Sequence, residues 1–451
     1  MAPEFVSERL MSLLERRSYA ALREAFADMN VVDVAQFVET LPTEQAVVAF
    51  RTLPKDMEAE VFAEFDADMQ RRIIESVTDR ELADIVDDLW VDDAVDMLEE
   101  MPAHLARRVL SNASPESRSL INHFLLYPDN SAGSIMTAEF TDLRADMTVE
   151  EAINHLRAVG ENRETIYTCY VIDALGRLEG VVSVKDLLLS HDAEVVQDIM
   201  SPDVISVFTT SNREEAARLV AKYDLISLPV MDAERHLVGI ITVDDALDVL
   251  REETTEDFEK MAAIKPSERP YLKTGVATLA RNRLPWLLIL MLSGMLTGTI
   301  LGFYEPVYAA LPVLVTFIPM LTGTGGNAGS QASTMVIRGI ALGEIGTGDA
   351  LKVVWKEARV SILVGAALAA MNYVRLVAAN PGNGLAQPVP LVVSLAQFGA
   401  IVVAQTIGGL LPIAASAVRV DPAVMSTPLI TTITDALTLI LYFSVAASML
   451  F

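Results

Sequence analysis

From residue 284 onward the chain carries five long apolar runs, about 284–304, 309–337, 358–379, 389–418 and 423–450. Each reaches the roughly 20 residues a helix needs to cross a bilayer. Backbone groups in hydrocarbon must be satisfied within their own segment, so such runs fold as a bundle of five transmembrane helices. The loops orient the bundle. Arg281 and Arg283 precede the first run, Arg338, Lys352, Lys356 and Arg359 lie between the second and third, and Arg419 lies between the fourth and fifth. The other side has only Arg375. The positive-inside rule therefore puts the N-terminus in the cytoplasm and the C-terminus outside a cell membrane.

The rest of the chain has the opposite character. Residues 271–451 hold nine Lys/Arg and six Asp/Glu, whereas residues 1–270 hold 25 and 55. An acidic, water-soluble body therefore precedes the membrane part. Such a surface repels nucleic acid and attracts cations. The one cysteine, Cys169, rules out an intrachain disulfide or a cysteine zinc cage. The start, MAPEFVSERLMSLLERRSYA, reads as an amphipathic polar helix with no apolar core of a cleaved signal.

The first 129 residues read as an all-α superhelical domain. Leu41-Pro42, Leu53-Pro54, Phe65-Asp66, Val77-Thr78, Leu89-Trp90 and Met101-Pro102 recur every twelve residues. Pro or a small polar residue opens a helix, and repeated short helices stack into a solenoid. Within it Asp92 and Asp96 share one helix face, either as a solvated face or as a shared cation site.

Residues 130–250 contain a second repeat, about 130–192 and 193–250. Ile135-Met136-Thr137 returns as Ile199-Met200-Ser201, and Gly180-Val181-Val182-Ser183-Val184-Lys185-Asp186 returns as Gly239-Ile240-Ile241-Thr242-Val243-Asp244-Asp245. Strand, helix, strand, strand, helix, twice over, resembles an α/β pair of CBS domains. That resemblance implies a regulatory module able to bind ATP or another adenine nucleotide, with Asp186 and Asp245 facing the ribose. The plain alternative is that each carboxylate favours a helix N-terminus.

A connecting segment, 251–270, continues VDDALDVLREETTEDFEKMAA toward the membrane. Asp245, Asp248, Glu252 and Glu256 form one acidic stripe at helical spacing, answered only by Arg251 and Lys260. Crowded like charges destabilise a helix unless a cation sits on them, and oxygen-only ligands suit a divalent ion. A solvated amphipathic linker is the alternative.

Two polar anomalies interrupt the membrane part, 271–451. In LTGTGGNAGSQAS, 321–333, Gly323, Gly325, Gly326 and Gly329 are expected to let the helix kink and expose carbonyls, while Thr322, Thr324, Asn327, Ser330, Gln331 and Ser333 add neutral oxygens. Close helix packing by small residues accounts for the glycines but not for Asn327 and Gln331. In the last run Thr427, Thr431, Asp435 and Thr438 line one helix face. A mid-membrane carboxylate costs about 2.5–3.5 kcal/mol on the insertion scale and must face water, an ion or a cationic partner. No Lys or Arg lies in the apolar centre of the other runs, so a passing cation is the expected partner. A hydrated hard cation such as Mg2+ suits one carboxylate among neutral oxygens.

With these parts in order, the chain resembles the MgtE-type magnesium channels over essentially its whole length. The resemblance rests on the domain order together with TGTGGNAGSQAS and TDALTLILYFSV. It implies a homodimer in the lipid bilayer, with a pore between the second and fifth membrane helices of both subunits, Asn327 in the pore and Asp435 as the selectivity residue. It implies cytosolic Mg2+ sensing by Asp92, Asp96, Glu214, Asp224, Asp245, Asp248, Glu253, Glu256 and Asp257. The connecting helix would act as a plug, held closed when cytosolic Mg2+ is high. Asn212 stands where a relative has an Asp ligand, and Thr427 where it has an Asn near the pore. Two other readings fit the same parts: a secondary carrier for divalent cations, and a membrane-bound nucleotide or ion sensor without transport activity. An enzyme is not expected; an intramembrane aspartyl protease would need a second membrane Asp.

Overall fold

The computed structural model describes residues 4–267, 271–378, 388–425 and 427–450. Residues 268–270 of the connecting segment and residue 379 of the third apolar run lie outside them. The chain divides into two compact units, Met1–Arg251 and Glu252–Phe451.

The first unit opens with ten short helices: α1 (Glu4–Glu15), α2 (Tyr19–Ala27), α3 (Val31–Glu39), α4 (Thr43–Phe50), α5 (Glu58–Ala63), α6 (Ala67–Ser76), α7 (Asp79–Asp88), α8 (Val91–Glu100), α9 (Ala103–Asn112) and α10 (Pro115–Phe124). Except for α5, which follows a 3-10 turn begun at Lys55, every helix from α2 to α10 starts twelve residues after the last step of the series. The start signals explain the period. Asn30, Asp66, Thr78 and Ser114 accept backbone N–H groups as N-caps, and Thr78 with Glu81 forms a full capping box. Each helix buries a single stripe, such as Leu82, Ile85 and Val86 on α7 or Val91, Val95 and Leu98 on α8. Stacked neighbours fuse these stripes into one apolar cluster.

Two three-stranded sheets follow. β1 (Asp142–Arg144) pairs parallel with β2 (Thr168–Ile172), which pairs antiparallel with β3 (Leu178–Ser183); α11 (Val149–Val159) and α12 (Val184–Leu189) accompany them. After α13 (Val196–Ile199), the second repeat places β4 (Val207–Phe208), β5 (Ser227–Met231) and β6 (Leu237–Thr242) in the same order, with α14 (Arg213–Tyr223) and α15 (Val243–Met261). Both antiparallel pairs shift register at equivalent places, Val171/Ile172 and Val230/Met231.

The repeated Ile-Met-Thr/Ser motifs have a specific role: each repeat lends its lead-in segment to the other's sheet. Thr137 bridges to Ile240, and Ser201 bridges to Val181. The methionines follow, Met136 onto Gly239 and Met200 onto Gly180. Tyr170 adds a buried hydroxyl contact to Ser227, 2.6 Å across the two repeats.

The second unit contains the five long apolar helices: α16 (Val276–Phe303), α18 (Ile318–Ala341), α19 (Ala350–Ala378), α20 (Val389–Ala417) and α21 (Thr427–Leu450), with a short α17 (Glu305–Ala310) after the first. Among the described residues, α16, α19, α20 and α21 belong to segments long and apolar enough to cross a membrane. α18 is 24 residues long and carries the glycine-rich polar segment. It begins later than its apolar run, because residues 309–317 turn through α17 and a 3-10 segment, Pro312–Phe317, with Tyr442 donating to the Leu314 carbonyl at 2.9 Å.

α18 corrects one expectation. The glycine-rich stretch is neither kinked open nor unwound but runs as continuous α-helix. Its carbonyls are spent within the helix, and the hydroxyls of Thr322 and Thr324 donate back to Ile318 O and Met320 O. The glycines serve packing instead. They let α20 and α21 approach so closely that a side chain at Gly408 would collide with the Gly329 carbonyl.

Candidate functional site

The membrane site is built where α18 meets α21. A Cβ added at Gly325 would lie 2.7 Å from Thr438 Oγ1, and one at Gly326 would lie 2.9 Å from Thr431 Cγ2 and 3.5 Å from Asp435 Oδ1. Gly329 faces Thr434 and the Ala404 carbonyl in the same way. The two glycines before Asn327 thus leave room for the hydroxylated, carboxylate-bearing face of α21. Ser330 Oγ lies 3.3 Å from Thr431 Oγ1, and Thr431 donates back to Thr427 O at 2.9 Å.

Asp435 is half-buried, and its Oδ1 is fully buried with no hydrogen-bond partner among the described residues. Such a group costs desolvation energy unless something fills the place. On α18, Asn327 and Gln331 are exposed one turn apart, in line with exposed Gly323, Thr334 and Arg338. A polar face therefore runs along a membrane helix beside the carboxylate. Thr427, at the start of α21, is exposed as well.

Sequence reading missed four more polar groups. Ser394 Oγ, Gln397 Oε1 and Gln405 Oε1 on α20 and Asn372 Nδ2 on α19 are buried without partners among the described residues. Their residues recur at helical spacing within apolar runs, which was the available signal. Asn372 also accepts two bonds from Arg375, at 3.2 and 2.8 Å, and the same guanidinium reaches Met320 Sδ of α18 at 3.6 Å.

In the soluble unit, carboxylates of α8 and α15 form an acidic cluster. Burial pushes Asp92 well above the usual carboxylate range, with Asp245, Asp93 and Glu164 adding to the rise. Asp93 is pushed up to about 7 by burial and by Asp245 and Glu64. Glu164 rises to about 8 by burial, Asp245 and Asp93. Asp245 itself rises to about 6 by burial, against the hydrogen bond from Thr242. Burial, Asp248 and Asp244 likewise raise Glu64. The structure thus brings Asp92, Asp245 and Asp248 into one field and adds Glu64, Asp93, Glu139 and Glu164. Among the described residues no three such side chains converge tightly enough to hold a metal ion.

The other expected sensor residues are spread out. Asp96 lies on the exposed face of α8. Glu214 pairs with Arg218 on α14, while Asp224 ends that helix in the left-handed conformation at φ 52°. Asn212 N-caps α14, its Oδ1 accepting Glu214 N–H at 2.8 Å and Glu215 N–H at 3.3 Å, so its amide already has a structural use. Glu253, Glu256 and Asp257 lie on the last turns of α15. The stripe is better answered than its spacing suggests. Arg251 reaches Asp248 at 3.2 Å, and Lys260 reaches Glu256 at 2.7 Å.

The two candidate nucleotide residues lie in the first turns of α12 and α15, each bonded to the hydroxyl just before its helix. Asp186 Oδ2 accepts from Ser183 Oγ at 2.6 Å, and Asp245 Oδ2 accepts from Thr242 Oγ1. Ser183 Oγ also accepts the Asp186 N–H.

Known proteins share this layout. The magnesium transporter MgtE of Thermus thermophilus is 36% identical over 452 residues, covering 99% of each chain. The chain belongs to the MgtE family. MgtE of Bacillus subtilis is 31% identical, over 98% of this chain and 96% of that one. Residues 318–445 match the MgtE divalent cation transporter family, 29–130 the MgtE intracellular N domain, and 132–190 and 196–252 the CBS domain.

Solved structures agree with the MgtE assignment. The soluble part of a magnesium transporter is 31% identical, covers 55% of this chain and 98% of that one, and superposes with a TM-score of 0.53. The cytosolic domain of the Mg2+ channel MgtE in complex with ATP is 36% identical, covers 54% and 99%, and gives 0.51. This member of the MgtE family is thus a multi-pass membrane protein with a helical N domain, a CBS pair and a helical membrane region.

Proposed function

We propose that the chain forms a Mg2+-selective channel for passive uptake, closed when cytosolic Mg2+ binds its acidic soluble domains. The observation that carries the reading is Asp435, whose buried Oδ1 lacks a partner among the described residues, beside Gly326 on a hydroxylated helix face. A mid-membrane carboxylate left this way awaits a cation. Relatives of nearly equal length are magnesium transporters, which supports Mg2+ as the ion. The exposed polar face of Asn327 and Gln331 supports a homodimer, in which a second copy would face it and two Asp435 side chains would share one axis.

The basic loops support a cytoplasmic N-terminus and an outer C-terminus. Mg2+ then enters down the inward-negative potential, at about 2.3 kcal/mol per charge per 100 mV. Control falls to the carboxylates of α8 and α15. Their mutual repulsion disfavours close packing, and a divalent ion binding the compact state more tightly shifts the balance toward it. Asp92, Asp245 and Asp248 form the centre of that sensor, with Asp96, Glu214, Asp224, Glu253, Glu256 and Asp257 as further ligands in the closed dimer. The related domain's complex with ATP supports an adenine nucleotide as a second ligand of the soluble unit, with Asp186 and Asp245 nearest the ribose.

The test is Mg2+ uptake into liposomes at graded internal Mg2+. Uptake should be maximal without internal Mg2+ and fall steeply as it rises. A flat response would remove the sensor from this reading, and no uptake at any internal concentration would remove the channel.

A further inference from the structure

The C-terminal turns of α15 are fastened to the turn that precedes α21 by a cation that the chain itself supplies. Lys260 Nζ lies 2.7 Å from Glu256 Oε1 on its own helix and 2.7 Å from Asp421 Oδ2, 161 residues later. Asp421 is a fixed anchor, because its other oxygen N-caps the 3-10 turn Pro422–Val424 by accepting Ala423 N–H at 2.8 Å. That turn leads directly into α21 and thence to Asp435. Ser333 of α18 also donates to the Met425 carbonyl beside it, at 3.4 Å.

The contact is not a loose surface pair. The Lys260 side chain is only 25% exposed and each carboxylate 36%. Burial works against the ammonium, and the bonds it donates to Asp421 and Glu256 more than offset it, holding its pKa above the usual lysine value. The chain after α15 is pinned too. Ala263 turns in the left-handed conformation, Lys265 N–H donates to Asn282 O on α16 at 3.1 Å, and Ser267 N–H donates to Glu259 at 2.8 Å. The end of α15 is thus tied to the first and the last membrane helices of its own unit.

We infer that Lys260 is a built-in latch: its ammonium bridges Glu256 of the connecting helix to Asp421 at the foot of α21 and biases the channel toward closure without any bound Mg2+. This deepens the channel reading and rests on it. In that reading divalent ions bridge carboxylates to hold the closed arrangement. At this one place a permanent cation already does so. The latch sets how far the channel opens when internal Mg2+ is absent.

The test uses the full chain in liposomes, comparing wild type, Lys260→Gln, Asp421→Asn and the charge-reversed double variant Lys260→Asp/Asp421→Lys. With no internal Mg2+, uptake by each single variant should rise about two- to fivefold, the range expected for one partly exposed ion pair. The reversed pair should return uptake toward wild type. Uptake unchanged in Lys260→Gln overturns the latch, and so does failure of the reversed pair to restore it. Hydrogen exchange at residues 256–263 supplies a readout that does not depend on transport. Faster exchange in Lys260→Gln than in wild type supports the bridge from Glu256 to Asp421; if wild type then carries no Mg2+, the channel reading falls while the bridge stands. Equal exchange overturns the latch.

Discussion

Asp435 Oδ1 lies 3.5 Å from the point where a Cβ on Gly326 would sit, and Thr431 Cγ2 is closer still, at 2.9 Å. The carboxylate and the glycine are more than a hundred residues apart in sequence and belong to different membrane helices. A methyl at 326 would press on the α21 face that carries both Thr431 and Asp435. Gly326→Ala should therefore lower Mg2+ uptake at least about fivefold and destabilise the membrane unit by about 1–3 kcal/mol. Uptake and thermal unfolding in detergent check this. Wild-type values for both would mean that α18 and α21 are not in register as described.

The CBS glycines should differ from each other. A Cβ at Gly239 would lie 2.7 Å from the Thr137 carbonyl, which is held by its own bridge to Ile240, whereas at Gly180 the nearest atom is Met200 Sδ, at 2.6 Å. A methionine end can swing aside and a bridged carbonyl cannot. Gly239→Ala should cost about 1–3 kcal/mol, and Gly180→Ala measurably less, by chemical denaturation of the soluble unit. The reverse order would contradict the segment exchange between repeats.

The acidic cluster predicts a pH dependence of unusual sign. Asp92, Asp93, Glu164 and Asp245 all have pKa values raised in the folded chain, so the folded state holds more protons than the unfolded one. Their contribution is fullest below the ordinary carboxylate range and is lost as pH rises through about 6 to 8. Without divalent ions, hydrogen exchange at α8 and at the start of α15, taken relative to the intrinsic rate at each pH, should slow on going from pH 8 to pH 5.5. Mg2+ should slow it strongly at pH 8 and little at pH 5.5, since ion and proton relieve the same repulsion. An Mg2+ effect equal at both pH values would place the ion elsewhere.

Much of the fold was legible because its signals are local. Proline, aspartate and threonine at twelve-residue intervals open helices wherever they stand, so the stack of α2 to α10 follows from short-range chemistry. The Asp186 and Asp245 motifs were visible as a repeat, but the reason for their glycines was not. That reason is a contact between Gly239 and Met136, or Gly180 and Met200, across two repeats.

The site was legible in part. Asp435 stood out because any lone carboxylate in an apolar run must be answered. The glycines near Asn327 looked like a break, and only the neighbours α20 and α21 show that they are packing surfaces on a continuous helix. In the soluble unit, Asp92 and Asp245 were named as separate candidates, while Asp93, Glu139 and Glu164 went unread, because their shared field arises from tertiary packing. Lys260 was counted as one of two cations against an acidic stripe. Its bond to Asp421 spans too much sequence for spacing to reveal.

The most direct test of the central claim is Mg2+ uptake by wild type and Asp435→Asn side by side in liposomes without internal Mg2+. Asparagine keeps the shape and removes the charge. Uptake should fall at least about tenfold, equivalent to about 1.4 kcal/mol, with the thermal midpoint kept or raised because an unpartnered buried carboxylate is gone. Uptake unchanged in Asp435→Asn would contradict a pathway that runs past this residue.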